Sequence, residues 1–327
     1  MKILITGAAG FIGSNFIHWL LANTEHDIVG VDNLSGGYIE NMPKESHRFD
    51  FHIADSGHQD SLDNLFSFYK PDICYHMAAY ASEGRSNSIR SFIHFNNTLG
   101  TTNVINACVN HNVKLVFLSS VAVYSGDPPF NEWSTIPNPI DEYGLSKLMS
   151  EKSIEIAGNT QGLDWCVIRP RNVYGERQNL FDPSRNLFGI MCYNALNSLP
   201  IKIFGDGNNK RAFTYISDIL EPLYNAREIR NRAINLGTGN VYTINEAVEA
   251  FSEIIGYKNI VHIEPRHEVA EAFCATTYSI QALGFEDKTS LKDGIQKMWE
   301  WAQKQEMKPL IEPPKLEVTK NIHSSLL

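Results

Sequence analysis

A rhythm along the chain restricts the fold more than any single residue does. Over the first half, short apolar runs rich in β-branched residues alternate with longer amphipathic stretches. Such alternation closes as a parallel sheet with helices on both faces, because parallel neighbours need long crossovers. Lys2 to Thr6, Asp27 to Asp32, Phe49 to Ile53, Asp72 to His76, Lys114 to Ser119 and Asp164 to Arg169 read as strands. Between them, about Gly10 to Leu21, Gln59 to Tyr69, Ser91 to Asn110 and Glu142 to Ala157 follow the helical period. The expected fold class is α/β, a doubly wound parallel sheet.

After Arg169 the rhythm loosens. A helix at Asn186 to Asn197, a strand at Ile201 to Phe204, a strand at Ala233 to Leu236 and helices at Thr243 to Ile255 and Ser290 to Gln305 describe a smaller, discontinuous α/β substrate lobe. The expected organisation is a nucleotide-binding unit at 1–169, the lobe at 170–307 with some elements returning to the first unit, and a tail at 308–327. Pro309, Pro313 and Pro314 deny the tail a regular element, so it either wraps the surface or is disordered. No internal repeat is visible.

Composition excludes several classes. A net charge of −9 over 327 residues supplies no positive field for a phosphate backbone, so nucleic acid is not an expected partner. Cys74, Cys108, Cys166, Cys192 and Cys274 stand singly, with no His or Cys cluster at metal-ligand spacing, and read as reduced packing residues with no metal expected. The apolar runs are too short for a membrane span and Met1 leads straight into a strand, so a cytoplasmic location is expected.

Gly7-Ala8-Ala9-Gly10-Phe11-Ile12-Gly13 joins the first strand to the first helix. Glycines there permit a tight turn and close approach of backbone N–H groups, with Phe11 and Ile12, to a pyrophosphate at a helix N-terminus, as in a Rossmann unit. Asp32 ends the second strand 19 residues after Gly13. A carboxylate about 20 residues on reaches an adenosine ribose hydroxyl and repels a 2′-phosphate. Asn33 and Ser35 follow it without a cation, so NAD is expected over NADP. Asp55, after the third strand, either reaches the adenine amino group or is a solvated loop residue. Ala78 and Ala79 are small enough to let a cofactor lie over the fourth strand.

Ser119 and Ser120 end the fifth strand, where doubly wound folds bind ligands, and Tyr143 and Lys147 stand at i and i+4 on one helical face. A phenol is a poor base at neutral pH, but a neighbouring ammonium stabilises the phenolate. Tyr143 is then a general base, Lys147 its tuning cation and a holder of the nicotinamide ribose, and Ser120 a donor to the substrate oxygen.

With these residues in this order, the chain resembles the extended short-chain dehydrogenase/reductases that act on nucleotide sugars. Beyond TGAAGFIGSN and YGLSK, the resemblance includes Ile168 to Gly175, Gly205 to Arg211, Phe213 to Asp218, Asn235-Leu236-Gly237 and Leu283-Gly284-Phe285, and runs from Met1 to about Gln305. It implies that Asn97 and Pro170 belong to the cofactor site. It further implies that Asn172, Asn186 and Leu187 lie against the substrate's diphosphate or sugar, and that Arg211 and Arg266 grip the diphosphate. Relatives form homodimers through a four-helix bundle, which Leu148, Ile154, Val104 and Cys108 either line or leave by facing the sheet.

The 4,6-dehydratases of that family carry Asp-Glu where this chain has Val121-Ala122. The resemblance therefore implies an NAD-dependent nucleotide-sugar 4-epimerase, with UDP-glucose/UDP-galactose as substrate and Tyr143 as base on the way to a transient 4-keto sugar. The bulk of Phe273, at a position that gates the sugar pocket, points the same way. Three alternatives stay open: a 5,6-elimination using Glu83 as a further acid or base near the sugar, a UDP-uronate epimerisation with Arg171 or Arg185 pairing the carboxylate, and an NAD-binding sensor without turnover.

Overall fold

A computed structural model describes residues 1–184, 186–266 and 271–326. The first half lays down β1 (Lys2–Thr6), α1 (Phe11–Asn23), β2 (Asp27–Asp32), β3 (Phe49–Ile53), α2 (Gln59–Tyr69) and β4 (Ile73–His76). Then follow α3 (Glu83–Ser86), α4 (Arg90–Ile93), a π-helical turn (His94–Leu99), α5 (Gly100–His111), β5 (Lys114–Leu118), α6 (Glu142–Gln161) and β6 (Trp165–Pro170). The second half contributes β7 (Val173–Tyr174), α7 (Leu187–Leu196), β8 (Ile201–Phe204), β9 (Lys210–Ala212), β10 (Thr214–Tyr215) and α8 (Ile216–Asn225). It ends with β11 (Arg232–Leu236), β12 (Val241–Thr243), α9 (Ile244–Ile255), β13 (Ile260–Ile263), β14 (Glu271–Ala272), α10 (Thr277–Leu283) and α11 (Leu291–Ala302).

Seven strands form one parallel sheet in the order β11-β6-β5-β4-β1-β2-β3. The Rossmann expectation holds, and the strand expected at Ala233 to Leu236 in the smaller lobe joins this sheet instead, beside β6. Every residue of β4 is buried, as in a strand covered on both faces. On one face, side chains such as Ile3, Phe16 and Ile168 meet Ile219, Phe251 and Ile295 from the second half. On the other, Leu62, Val104, Cys108 and Ile154 pack with Leu115 and Val167. Val104, Cys108 and Ile154 therefore face the sheet, and Leu148 packs on Val121, Val123 and Phe130. This settles against Val104, Cys108 and Ile154 lining an external bundle, whereas Leu148 stays half-buried.

The helix expected over Ser91 to Asn110 is broken into two α segments by the π turn. In the second half, the strands of two or three residues show no periodicity that a sequence reading could catch. The helix α8 went unanticipated because Pro222 lies inside it, a residue that normally ends a helix.

Of the two expectations for the tail, wrapping is the one found. The Ile311 N–H donates to Phe181 O at 2.7 Å, and Arg85 donates to Pro314 O at 2.9 Å. Glu317 then accepts from the N–H groups of Ser91 (2.8 Å) and Phe92 (3.0 Å), capping the start of α4. Farther on, His323 lies within 3.0 Å of Glu264 O and edge-on to Phe204. The strap thus joins the loop at 181, the α3–α4 segment and the ends of β8 and β13.

Glu317→Ala removes the cap and should cost about 1 kcal/mol. The expected result is faster proteolytic cutting within 308–326 with little loss of thermal stability, checked by limited proteolysis beside a melting curve.

Candidate active site

The glycine loop is built by close approach. Gly7 has φ +72°, and a β-carbon on it would stand 2.6 Å from Ala78 N. A β-carbon on Gly13 would stand 2.1 Å from Gly7 O. Only glycine lets β1, β4 and α1 meet here, and α1 begins at Phe11 with no side chain capping its first N–H groups. Bare N–H groups at a helix start, over a floor without side chains, fit a pyrophosphate. Beside the loop, Asp32 accepts from Ala9 N–H at 3.0 Å and Leu34 N–H at 2.7 Å. Burial holds its carboxyl above the ordinary range, and the backbone N–H donors oppose that rise. Asn33 and Ser35 lie exposed at the rim, and Asn33 donates to Asp55 at 2.9 Å. Asp55 also takes the Gly57 N–H at 2.7 Å, so its carboxylate shapes the loop it stands on.

Ala78 and Ala79 continue from β4 as a half-buried edge. Behind them Asn97, in the π turn, accepts from Tyr80 N–H at 2.8 Å and donates to Tyr80 O (3.1 Å) and to Ser146 Oγ (3.1 Å). Its side-chain amide thus ties the Ala79–Tyr80 edge to α6.

Ser120, Tyr143 and Lys147 converge where β5 ends against α6, all three buried. Ser120 caps the short turn Val121–Val123, its Oγ accepting from Ala122 N–H at 3.1 Å. Gly144 lets α6 approach that turn, since a β-carbon there would stand 2.2 Å from Ala122 O. Lys147 Nζ donates to Leu118 O at 2.7 Å and lies 4.8 Å above the Phe117 ring and 5.9 Å from the Tyr143 ring centre. Burial brings the Lys147 ammonium down to about 7, and the carboxylate of Glu151 pulls it back up. Asp141 caps α6 by accepting from Gly144 N–H at 2.8 Å. Burial, with the Glu83 carboxylate nearby, pushes Asp141 up to about 7.

The structure brings other anticipated residues to the rim. Glu83 opens α3, exposed; Pro170 ends β6, half-buried, and Asn172 follows with φ +32° and donates to Ala212 O at 3.1 Å. Asn186, just before α7, donates to Val173 O at 2.9 Å, and Leu187 opens the helix. Arg211 on β9 is buried beside Ala272 of β14, which leads to Phe273. Arg266 stacks its guanidinium 4.0 Å over the Phe204 ring, with Nη1 3.3 Å from where a β-carbon on Gly84 would stand. It therefore reaches α3.

Arg171 is different. Fully buried, it donates to Cys274 O at 2.7 Å and to Gly237 O, which removes it as the partner of a substrate carboxylate. Arg185, the other residue considered for that task, lies outside the described residues. Sequence reasoning also passed over the buried carboxylate of Glu151 and its partner Arg169; Glu151 stands at i+4 from Lys147 on the same helical face, which was the available signal.

A lysine in an unfolded chain holds its proton to about 10.4, so between pH 7 and 10 the unfolded chain binds a proton that folded Lys147 has released. Stability therefore gains with pH over that window. Lys147→Met should abolish this gain: melting temperatures of parent and variant should converge or cross toward the parent as pH rises. Curves that stay parallel in calorimetry would contradict the burial effect.

A family model described as the NAD dependent epimerase/dehydratase family matches residues 3–237. The putative UDP-glucose 4-epimerase of Methanocaldococcus jannaschii is 31% identical over 308 residues, covering 91% of this chain and 97% of the relative. The crystal structure of UDP-glucose 4-epimerase with UDP-glucose from Thermotoga maritima superposes with a TM-score of 0.87 at 31% identity, over 93% of this chain and 99% of that one. That of UDP-glucuronic acid 4-epimerase from Bacillus cereus with UDP-glucuronic acid and NAD gives a TM-score of 0.85 at 27% identity, over 93% and 99%.

Proposed function

The chain belongs to the NAD-dependent epimerase/dehydratase family, and from that premise we propose that it is a UDP-sugar 4-epimerase interconverting UDP-glucose and UDP-galactose. Its cofactor is NAD. One observation carries the reading: Ser120, Tyr143 and Lys147 converge at the end of β5, while apolar Val121 and Ala122 stand where a 4,6-elimination would take its acids.

In this reading Gly7, Gly10, Phe11, Ile12 and Gly13 bind the pyrophosphate, Asp32 takes the ribose hydroxyl, and Asn33, Ser35 and Asp55 border the adenine. Ala78, Ala79, Pro170 and the edge braced by Asn97 flank the nicotinamide, whose role is to take up a hydride and return it. Arg211 and Arg266 hold the substrate diphosphate, with Asn172, Asn186 and Leu187 along its path. Ser120 donates to the C4 oxygen and fixes it against Tyr143. The Tyr143 phenolate, stabilised by Lys147, takes the C4 hydroxyl proton. A 4-keto sugar forms, rotates, and receives the proton back from Tyr143 when the hydride returns to its other face.

Glu83 and Asp141 favour a second reading. Asp141, raised to about 7 by burial and then by the nearby Glu83 carboxylate, supplies an acid two residues before Tyr143, as a 5,6-elimination would require.

Phe95, Leu99, Leu145, Met149 and Ile156 are exposed on the π turn and α6 at helical spacing, which supports a homodimer through this face. Ile156→Glu should then halve the mass seen by light scattering. Among the described residues no helix is long and apolar enough to cross a membrane, and all five cysteines are free and buried, as suits the reducing cytoplasm where we place the protein.

Incubation with NAD and UDP-glucose, UDP-galactose, their N-acetyl forms or UDP-glucuronate should give from UDP-glucose an isomer of unchanged mass. Tyr143→Phe should lower kcat by about 10²- to 10⁴-fold with the fold intact. A product lighter by one water would replace the epimerase reading with the elimination. The same panel tests the uronate reading, and an inert protein that binds NAD would establish the sensor.

A further inference from the structure

The buried ion pair behind the site has no part in the reading above. Glu151 lies on α6 one turn beyond Lys147, and Arg169 closes on its carboxylate from β6 with Nε at 2.9 Å and Nη2 at 2.6 Å. Both side chains are 7% exposed. The Ser119 hydroxyl donates to the same carboxylate at 2.5 Å, and Arg169 donates onward to Tyr124 OH, which donates to Asn235 at 3.3 Å. One carboxylate thus joins α6 to the ends of β5, β6 and β11, and it reaches the residue next to Ser120.

A buried charge pair in a fold of this kind is weak evidence of stability, since apolar residues of the same volume often do as well. Its position says more. Three of the groups that meet here, Lys147, Glu151 and Arg169, are charged, and Glu151 stands between the two cations. The other ionisable groups around Lys147 and Tyr143 are His76 on β4, Asp141 and Glu142 at the start of α6, Glu83 on α3, and Arg90 and His94 on the α4–π segment. His76 bridges Thr6 and Thr101 at 2.6 and 2.9 Å, and burial holds it neutral. Glu142 is taken by Arg90 at 2.6 Å and His94 at 3.1 Å. Asp141 caps α6 just before Tyr143, with the Glu83 carboxylate near it. Glu151 alone among these places a carboxylate on the inner side of Lys147.

We propose that Glu151 is a positioning residue for the base: its carboxylate, fixed by Arg169 and Ser119, keeps Lys147 cationic in the protein interior and so sets the pH at which Tyr143 can accept a proton. The inference rests on Tyr143 and Lys147 acting as a pair, as in the proposed function. Losing the carboxylate's charge leaves burial unopposed, Lys147 gives up its proton at lower pH, and the phenolate loses its cation.

The test reads the phenolate directly and so does not depend on the sugar. The NAD-loaded protein is titrated by ultraviolet absorbance, and the curve of Tyr143→Phe is subtracted to isolate Tyr143. In Glu151→Gln the Tyr143 midpoint should move up by about one pH unit, a tenfold change in proton affinity. Where turnover is measurable, the acid limb of the kcat profile should move with it while KM changes less. Glu151→Gln/Arg169→Met, which leaves no uncompensated charge, gives the same reading if the single variant fails to fold. An unmoved midpoint in a folded variant overturns the proposal, as does a uniformly lower kcat on an unchanged pH profile. A midpoint that shifts as expected in Glu151→Gln, in a protein whose parent turns over no UDP-sugar, would refute the substrate and leave this inference standing.

Discussion

A lysine ammonium inside the protein is the constraint around which the catalytic end of this molecule is arranged. Lys147 is 3% exposed, and burial alone would strip its proton near neutral pH. What surrounds it answers that difficulty: the Leu118 carbonyl accepts its proton-bearing nitrogen, the Phe117 ring offers its negative face, and Glu151 adds a full charge. Each comes from an element whose place is set for another reason as well. The strand β5 must pair with β4 and β6, and α6 must sit close enough for Gly144 to touch the Ala122 carbonyl. The sheet order and the cation's surroundings are therefore one requirement.

The parts legible in the sequence were those with a period or a local spacing. Strands β1 to β6 and helices α1, α2 and α6 could be read from apolar periodicity, and Ser120, Tyr143 and Lys147 from a strand end and an i, i+4 step. The α/β sheet, the family resemblance and NAD all stand. What could not be read was whatever depends on partners far apart in the chain. The three-residue strand β9 forms because Lys210 and Arg211 find Glu271 and Ala272, about sixty residues on. Arg171 looked available for a carboxylate because nothing local shows that Cys274 and Gly237 turn their carbonyls toward it. The bonds by which the Asn97 amide ties Tyr80 to Ser146 are a tertiary use invisible in Asn96-Asn97-Thr98.

Helix α6 serves two directions at once. Its inward stripe carries Tyr143, Lys147 and Glu151 toward the sheet, and its outward stripe carries Leu145, Met149 and Ile156. The period of 3.6 residues separates the two faces by little more than a side chain's width. A group that pressed on the outer stripe would bear on the same rigid rod that aims the phenol, with the π turn beside it.

The order of the sheet has a consequence for how the chain is made. The outermost strand on one side, β11, is encoded by residues 232–236, whereas its neighbour β6 ends at Pro170. While a ribosome is extending the intervening stretch, the open edge of β6 presents unpaired N–H and C=O groups beside Trp165 and Val167. The nascent chain is thus obliged to carry a sticky seam for some sixty residues of synthesis, and a gene cut just after β6 would leave that seam permanently uncovered. Nature's division of labour between the two halves is not a place where this polypeptide can be divided.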